Sequence, residues 1–107
     1  MPYKEEGMLV IAGSILIDPA KREVAILAAK EMMAATRREP GCRAYTFSMD
    51  LEEPGRVHLF EHWESQTALD AHFKSAHMAR FNTAVAELGV REAALQKYEV
   101  TTVGPFR

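Results

Sequence analysis

Apolar positions change their period along the chain, and each change marks an element. Met8 to Ile17 is rich in β-branched residues and does not alternate. Leu9, Ile11, Ile15 and Ile17 fall on one face of an extended chain; Met8, Val10, Ala12 and Leu16 fall on the other. This pattern predicts a strand buried on both sides. Asp18 then offers an N-cap and Pro19 a first helical position. Val24, Ala28, Met32 and Ala35 recur at helical spacing with Leu27 alongside, predicting a helix to about Arg38. Glu39-Pro40-Gly41 stops it.

Strict alternation follows. Tyr45, Phe47, Met49 and Leu51 alternate with smaller or polar residues, predicting a strand over 42–51. Glu52-Glu53-Pro54-Gly55 is a turn, and Val57 to Trp63 is the returning strand of an antiparallel hairpin. Val57, Leu59, Glu61 and Trp63 share one face of it; His58, Phe60 and His62 share the other. Ser65 can cap a helix from Gln66 in which Leu69, His72, Phe73 and Ala76 form the apolar stripe. The helical phase is expected to break around Ser75 to His77. A further piece carries Met78, Phe81, Val85 and Leu88 to Gly89. Residues 90–97 show no clear period, and Tyr98 to Val103 is predicted as the last strand. The order β-α-β-β-α-β predicts an α+β, ferredoxin-like fold, an antiparallel sheet with helices on one face. The uncovered face then needs a partner, for which a second copy is the simplest choice.

Composition changes this picture little. The chain has 107 residues, enough for one domain with its own core. Residues 1–7 are expected to form a flexible arm and residues 8–107 the domain. The net charge is −2 with scattered Lys and Arg, so no nucleic-acid partner is expected. The single cysteine, Cys42, excludes an internal disulfide and a cysteine-rich metal site. The apolar run Met8 to Ile17 is too short to span a bilayer, and its flank lacks the basic region of a signal peptide. A cytoplasmic protein is expected, with no membrane contact.

Candidate chemistry concentrates between Phe60 and His77, which hold the only tryptophan and three of the four histidines. His58 and His62 lie roughly 13 Å apart along a strand, too far to share an ion. On one continuous helix His72 and His77 would point about 140° apart. No metal and no other cofactor is therefore expected. Cys42 at a strand start suits a packed thiol better than a nucleophile, and no nucleophile elbow or phosphate loop is present. Glu61 shares an apolar face and must be paired, hydrogen-bonded or protonated. Its expected partner is His72, across from it on the helical stripe. Trp63 offers a flat wall to a planar ligand, His77 a place on a pocket rim, and Tyr45 a hydroxyl.

The combination Glu39-Pro40-Gly41-Cys42 with Tyr45, then Phe60-Glu61-x-Trp63, then Ala68-Leu69-x-x-His72-Phe73 and Ser75-x-His77, resembles the antibiotic biosynthesis monooxygenase family. The resemblance runs from Met8 to about Val103. It implies a homodimeric α+β barrel with a pocket between sheet and helices in each subunit, lined around Trp63, His72 and His77. Family members include quinol monooxygenases that use neither metal nor flavin, haem-degrading proteins and a protein acting on a phosphorylated signalling sugar. Two features depart from the pattern. Leu59 stands where some quinol-oxidising members keep an asparagine. Gly13 and Ser14 stand where haem-degrading members need one.

The resulting expectation is a cofactor-independent monooxygenase that oxidises a planar phenol or quinol with O2. His72 or His77 would act as base and Glu61 would orient it, with Trp63, Phe73 and Tyr45 holding the substrate. The alternatives are a non-catalytic or stress-related dimer that binds a small molecule and, behind it, an isomerase of a small phosphorylated sugar.

Overall fold

The computed structural model describes residues 7–107. The arm expected over 1–7 therefore lies, apart from Gly7, outside the described residues. The first strand, β1, spans Met8–Leu16. Asp18 accepts a hydrogen bond from the Ala20 backbone N–H at 3.0 Å. It thereby caps a short 3-10 turn, Pro19–Lys21, that leads into helix α1, Arg22–Thr36. Strands β2, Cys42–Met49, and β3, Arg56–Trp63, form the hairpin. Helices α2, Gln66–Phe73, and α3, Ala76–Val85, follow, and β4, Glu92–Val100, closes the chain.

All pairings are antiparallel and the strand order is β2-β3-β1-β4. This is the α+β, ferredoxin-like arrangement expected. Register puts Leu9, Ile11 and Ile15 beside Trp63, Glu61 and Val57, so the inner face of the sheet is set by β1 and β3 together. Leu9, Met32, Tyr45, Trp63 and Leu69 form one buried cluster; Ile17, Ala25, Val57 and Leu88 form the other. Gly13 allows β4 to lie close, because a Cβ there would run into the Ala94 carbonyl oxygen. No helix among the described residues is long and apolar enough to cross a membrane.

Four expectations shift. The buried stripe of α1 is Ala25, Met32 and Thr36, while Val24 and Leu27 face solvent. Small residues on the inward side let the helix approach the sheet, and this outweighs the larger apolar side chains one position away. β1 is buried less fully than its composition suggests: Leu9 is buried and the rest of the strand is half-buried, since helices cover one face only. β2 stops at Met49 rather than Leu51, because the Asp50 carboxylate accepts from the Glu52 and Glu53 backbone N–H groups and bends the chain. β4 runs over Glu92–Val100, not Tyr98–Val103. It pairs with the whole of β1, from Glu92 beside Leu16 to Val100 beside Met8, and β1 offers nothing beyond that point. Residues 92–99 of β4 are all exposed, so no hydrophobic pattern announces it.

Candidate functional site

The inner face of the sheet and helices α2 and α3 enclose a cavity of about 480 Å³. Ile11, Tyr45, Phe47, Leu59 and Glu61 form its floor; His72 and Phe73 come from α2, Met78 and Phe81 from α3, and Leu95 and Lys97 from β4. The walls are mainly apolar, with few polar groups converging on the space, which suits a small organic ligand.

His72 is placed by the end of α2. It lies in that helix's last turn, 1% exposed. Its Nδ1 lies 2.7 Å from Oε2 of Glu39. Burial pushes the imidazole pKa down and the Glu39 carboxylate pulls it partly back up. The neutral ring is therefore favoured, with the Nδ1 proton donated to the carboxylate and Nε2 left as a lone-pair acceptor. The Trp63 ring backs the imidazole at 4.9 Å between centroids.

Glu61 has a different partner. Its Oε1 accepts a hydrogen bond from the Trp63 indole N–H at 2.8 Å. Burial raises its pKa against the effect of that bond. The expected Glu61–His72 pair is thus corrected: Glu39 holds His72, and Glu61 holds Trp63. Both groups face the same cavity with their charged forms disfavoured. Tyr45 lines the cavity next to them, and burial followed by the Glu61 charge pushes its phenol pKa well up, so it stays protonated.

Two further placements differ from expectation. Trp63 is fully buried and lies outside the cavity lining, so it supports His72 and Glu61 from behind rather than walling a ligand. His77 does not reach the cavity either. It sits behind His72, lining a separate hollow of about 70 Å³ with Met32 and Arg80. Phe73 does line the cavity and is half-exposed at its edge.

The helix break brings His77 to that position. Ser75 accepts from the Met78 backbone N–H at 3.2 Å as the N-cap of α3, and its hydroxyl donates to the His72 carbonyl at 2.7 Å. The chain restarts its helix there, so the about 140° separation calculated for one continuous helix does not apply. The imidazole centroids of His72 and His77 lie 5.9 Å apart. His77 Nε2 comes within 3.2 Å of the same Glu39 Oε2, but off the line of a hydrogen bond, and makes no hydrogen bond. Glu39, His72 and His77 each place a ligand-capable atom within 4.8 Å of the others.

Glu39 is the site residue that sequence reasoning missed: it entered only in the helix stop and in the family motif, with no role of its own. One signal was available. A carboxylate just past a helix C-terminus opposes the helix dipole, so an acid there calls for another reason. Gly41, at φ +83°, makes the turn that brings Glu39 under α2.

Comparison with known proteins agrees with this fold. Residues 8–84 match the family model described as antibiotic biosynthesis monooxygenase. An uncharacterized protein of Synechocystis is 32% identical over 92 residues. That match takes in 86% of this chain but 63% of the relative, so the chain spans less than two thirds of that relative's length. The Mycobacterium tuberculosis protein named "Putative monooxygenase Rv0793" is 38% identical over 75 residues, 70% of this chain and 68% of that one. Its solved structure superposes with a TM-score of 0.79 at 30% identity, covering 92% of this chain and 98% of that one. A structure from Caulobacter crescentus CB15 gives a TM-score of 0.84 over 91% and 92% of the two chains; at 20% identity it speaks to the fold alone. The family model covers most of the chain, and the chain belongs to the antibiotic biosynthesis monooxygenase family.

Proposed function

We propose that the protein oxygenates a planar phenol or quinol with O2, using the substrate's own electrons. One observation carries this reading: a buried histidine whose Nδ1 is held by a carboxylate stands in the wall of an apolar cavity. Nε2 of His72 takes the phenolic proton. The resulting phenolate gives one electron to O2, and the radical pair combines to form a C–O bond at a ring carbon that carries hydrogen. The ring hydrogen leaves as a proton while the O–O bond breaks: the inner oxygen stays on the ring as a carbonyl, the outer one leaves as hydroxide and takes up a proton, and the products are a quinone and water. The protein's part is to favour the phenolate, hold it flat and keep bulk water from the radical pair. Tyr45, kept protonated, supplies a hydrogen-bond donor near the substrate oxygen. Phe73 and Phe47 supply flat walls. Glu61 and Trp63 hold the shape behind them.

Lys97 is the one lysine or arginine in the cavity wall among the described residues, and its Nζ donates to Gln66 at 3.0 Å. That favours an uncharged aromatic over a phosphorylated sugar. The same reading includes a homodimer. Phe60 and Tyr98, about half exposed on the face away from the helices, support it.

The test is an oxygen electrode with purified protein and simple quinols, with product mass as a second readout. Uptake of O2 with a product gaining one oxygen and losing two hydrogens supports the reading. Tight aromatic binding without O2 uptake overturns it in favour of a binding module.

A further inference from the structure

We propose that Glu39, His72 and His77 form a site for a divalent cation of the zinc class, behind the cavity, whose occupancy silences His72. The second half of this statement rests on the function proposed above; the site itself does not.

Three elements converge on it: the turn after α1, the last turn of α2 and the first turn of α3. Two imidazoles and one carboxylate are a donor set that suits zinc and its neighbours. Tetrahedral zinc with bonds of about 2.0–2.2 Å needs donor atoms about 3.3 Å apart. Here Glu39 Oε2 lies 2.7 Å from His72 Nδ1 and 3.2 Å from His77 Nε2. The three donor atoms lie within 4.8 Å of one another, so opening the first contact by about half an ångström and drawing the two imidazole nitrogens together would admit the ion.

His77 shows why the cluster is more than a brace. A carboxylate oxygen between two imidazoles satisfies one of them along its line. His77 Nε2 is left buried with no hydrogen-bond partner. Native structures leave few such groups, and a bound ion or a water would satisfy this one. The Glu39 and His77 side chains are about one-sixth exposed, leaving an entry path and room for a water as fourth ligand.

The position decides the consequence. Glu39 and His77 do not line the large cavity, whereas His72 does. A cation on Nδ1 takes the place of the proton donated to Glu39, so it sits on the Glu39 side of the ring, away from Nε2 and outside the cavity. The neutral metal-bound imidazole carries its remaining proton on Nε2, so it can donate but no longer accept. The base is lost without any change in the cavity's shape.

The experiment is a calorimetric titration of chelator-stripped protein with Zn2+, with the visible bands of Co2+ as an independent report of tetrahedral nitrogen and oxygen ligation. One ion per chain is expected. Binding should weaken at least tenfold in Glu39→Gln and in His77→Gln, both checked for fold by circular dichroism, and stay unchanged in His58→Ala on the outer face. Absence of stoichiometric binding, or equal binding in both site variants, overturns the site. In the wild type, Zn2+ at the concentration that fills the site should abolish quinol-dependent O2 uptake, and chelator should restore it. Uptake unaffected by a filled site overturns the silencing of His72. Failure of every quinol to support uptake counts against the proposed function instead, and the titration still decides the site.

Discussion

At the scale of single residues, His72 and Glu61 make opposite demands on pH. His72→Gln keeps an amide that can reach Glu39 but removes the base. A loss of about 10²–10⁴ in kcat/KM is expected at neutral pH, with the fold retained. In the wild type, activity should fall as pH drops through the His72 pKa. Burial puts that limb below the ordinary imidazole value of about 6.5, so the rate should be on its plateau at pH 7. A pH–rate profile checks both. Glu61 has a folded pKa above its unfolded one. Its stabilising contribution is therefore complete below the unfolded value of roughly 4.3 and is lost as pH rises through the folded value. Glu61→Gln keeps an acceptor for the Trp63 indole and removes the buried charge. Its melting temperature at pH 7 should equal or exceed that of the wild type, with a flatter dependence on pH. Glu61→Ala strands the indole N–H and should cost about 1–3 kcal/mol. A melting series from pH 4 to 8 separates the three proteins.

At the scale of elements, the site depends on two breaks in helical structure. Gly41 adopts φ +83°, and a Cβ there would meet the Ala68 Cβ at 2.6 Å. Gly41→Ala should cost about 2 kcal/mol or more, from left-handed strain plus displacement of α2. It should also shift Glu39 away from His72, so activity should fall more than stability does, as kinetics and urea unfolding on one sample would show. Ser75 both ends α2 and caps α3. Ser75→Ala should lower stability by about 1 kcal/mol. If Ser75 does set where His77 sits, Zn2+ affinity should drop in the same variant; an unchanged affinity would separate the cap from the trio.

At the scale of the whole molecule, the radius of gyration is 15.0 Å, against about 13 Å for a domain of this length. The excess comes with an edge strand, β4, that no helix covers, and with exposed Phe60, Leu95 and Tyr98. A homodimer would bury them and close the mouth of the cavity near Leu95 and Lys97. Sedimentation should show a dimer at micromolar concentration, and Phe60→Glu with Tyr98→Glu should convert it to a monomer. A wild-type monomer at that concentration would remove the dimer from the proposal.

Sequence alone determined the element order and the fold class, and it gathered most of the candidate site residues into one stretch. Those follow from local rules: a period of two or 3.6 residues, a capping serine, a proline-glycine stop. It also marked Ser75 to His77 as a break. Only tertiary structure decided which groups meet. Glu39 and His72 lie 33 residues apart, and no spacing rule joins a turn after one helix to the end of another. Glu61 shares a face with Trp63 two residues on, a contact local enough to have been legible, yet the sequence pointed across to His72 on the helical stripe and only the fixed distances show the indole as its partner. β4 escaped for a related reason. An exposed edge strand is defined by its partner's hydrogen bonds and not by its own hydrophobic pattern, so its limits had to be read from β1.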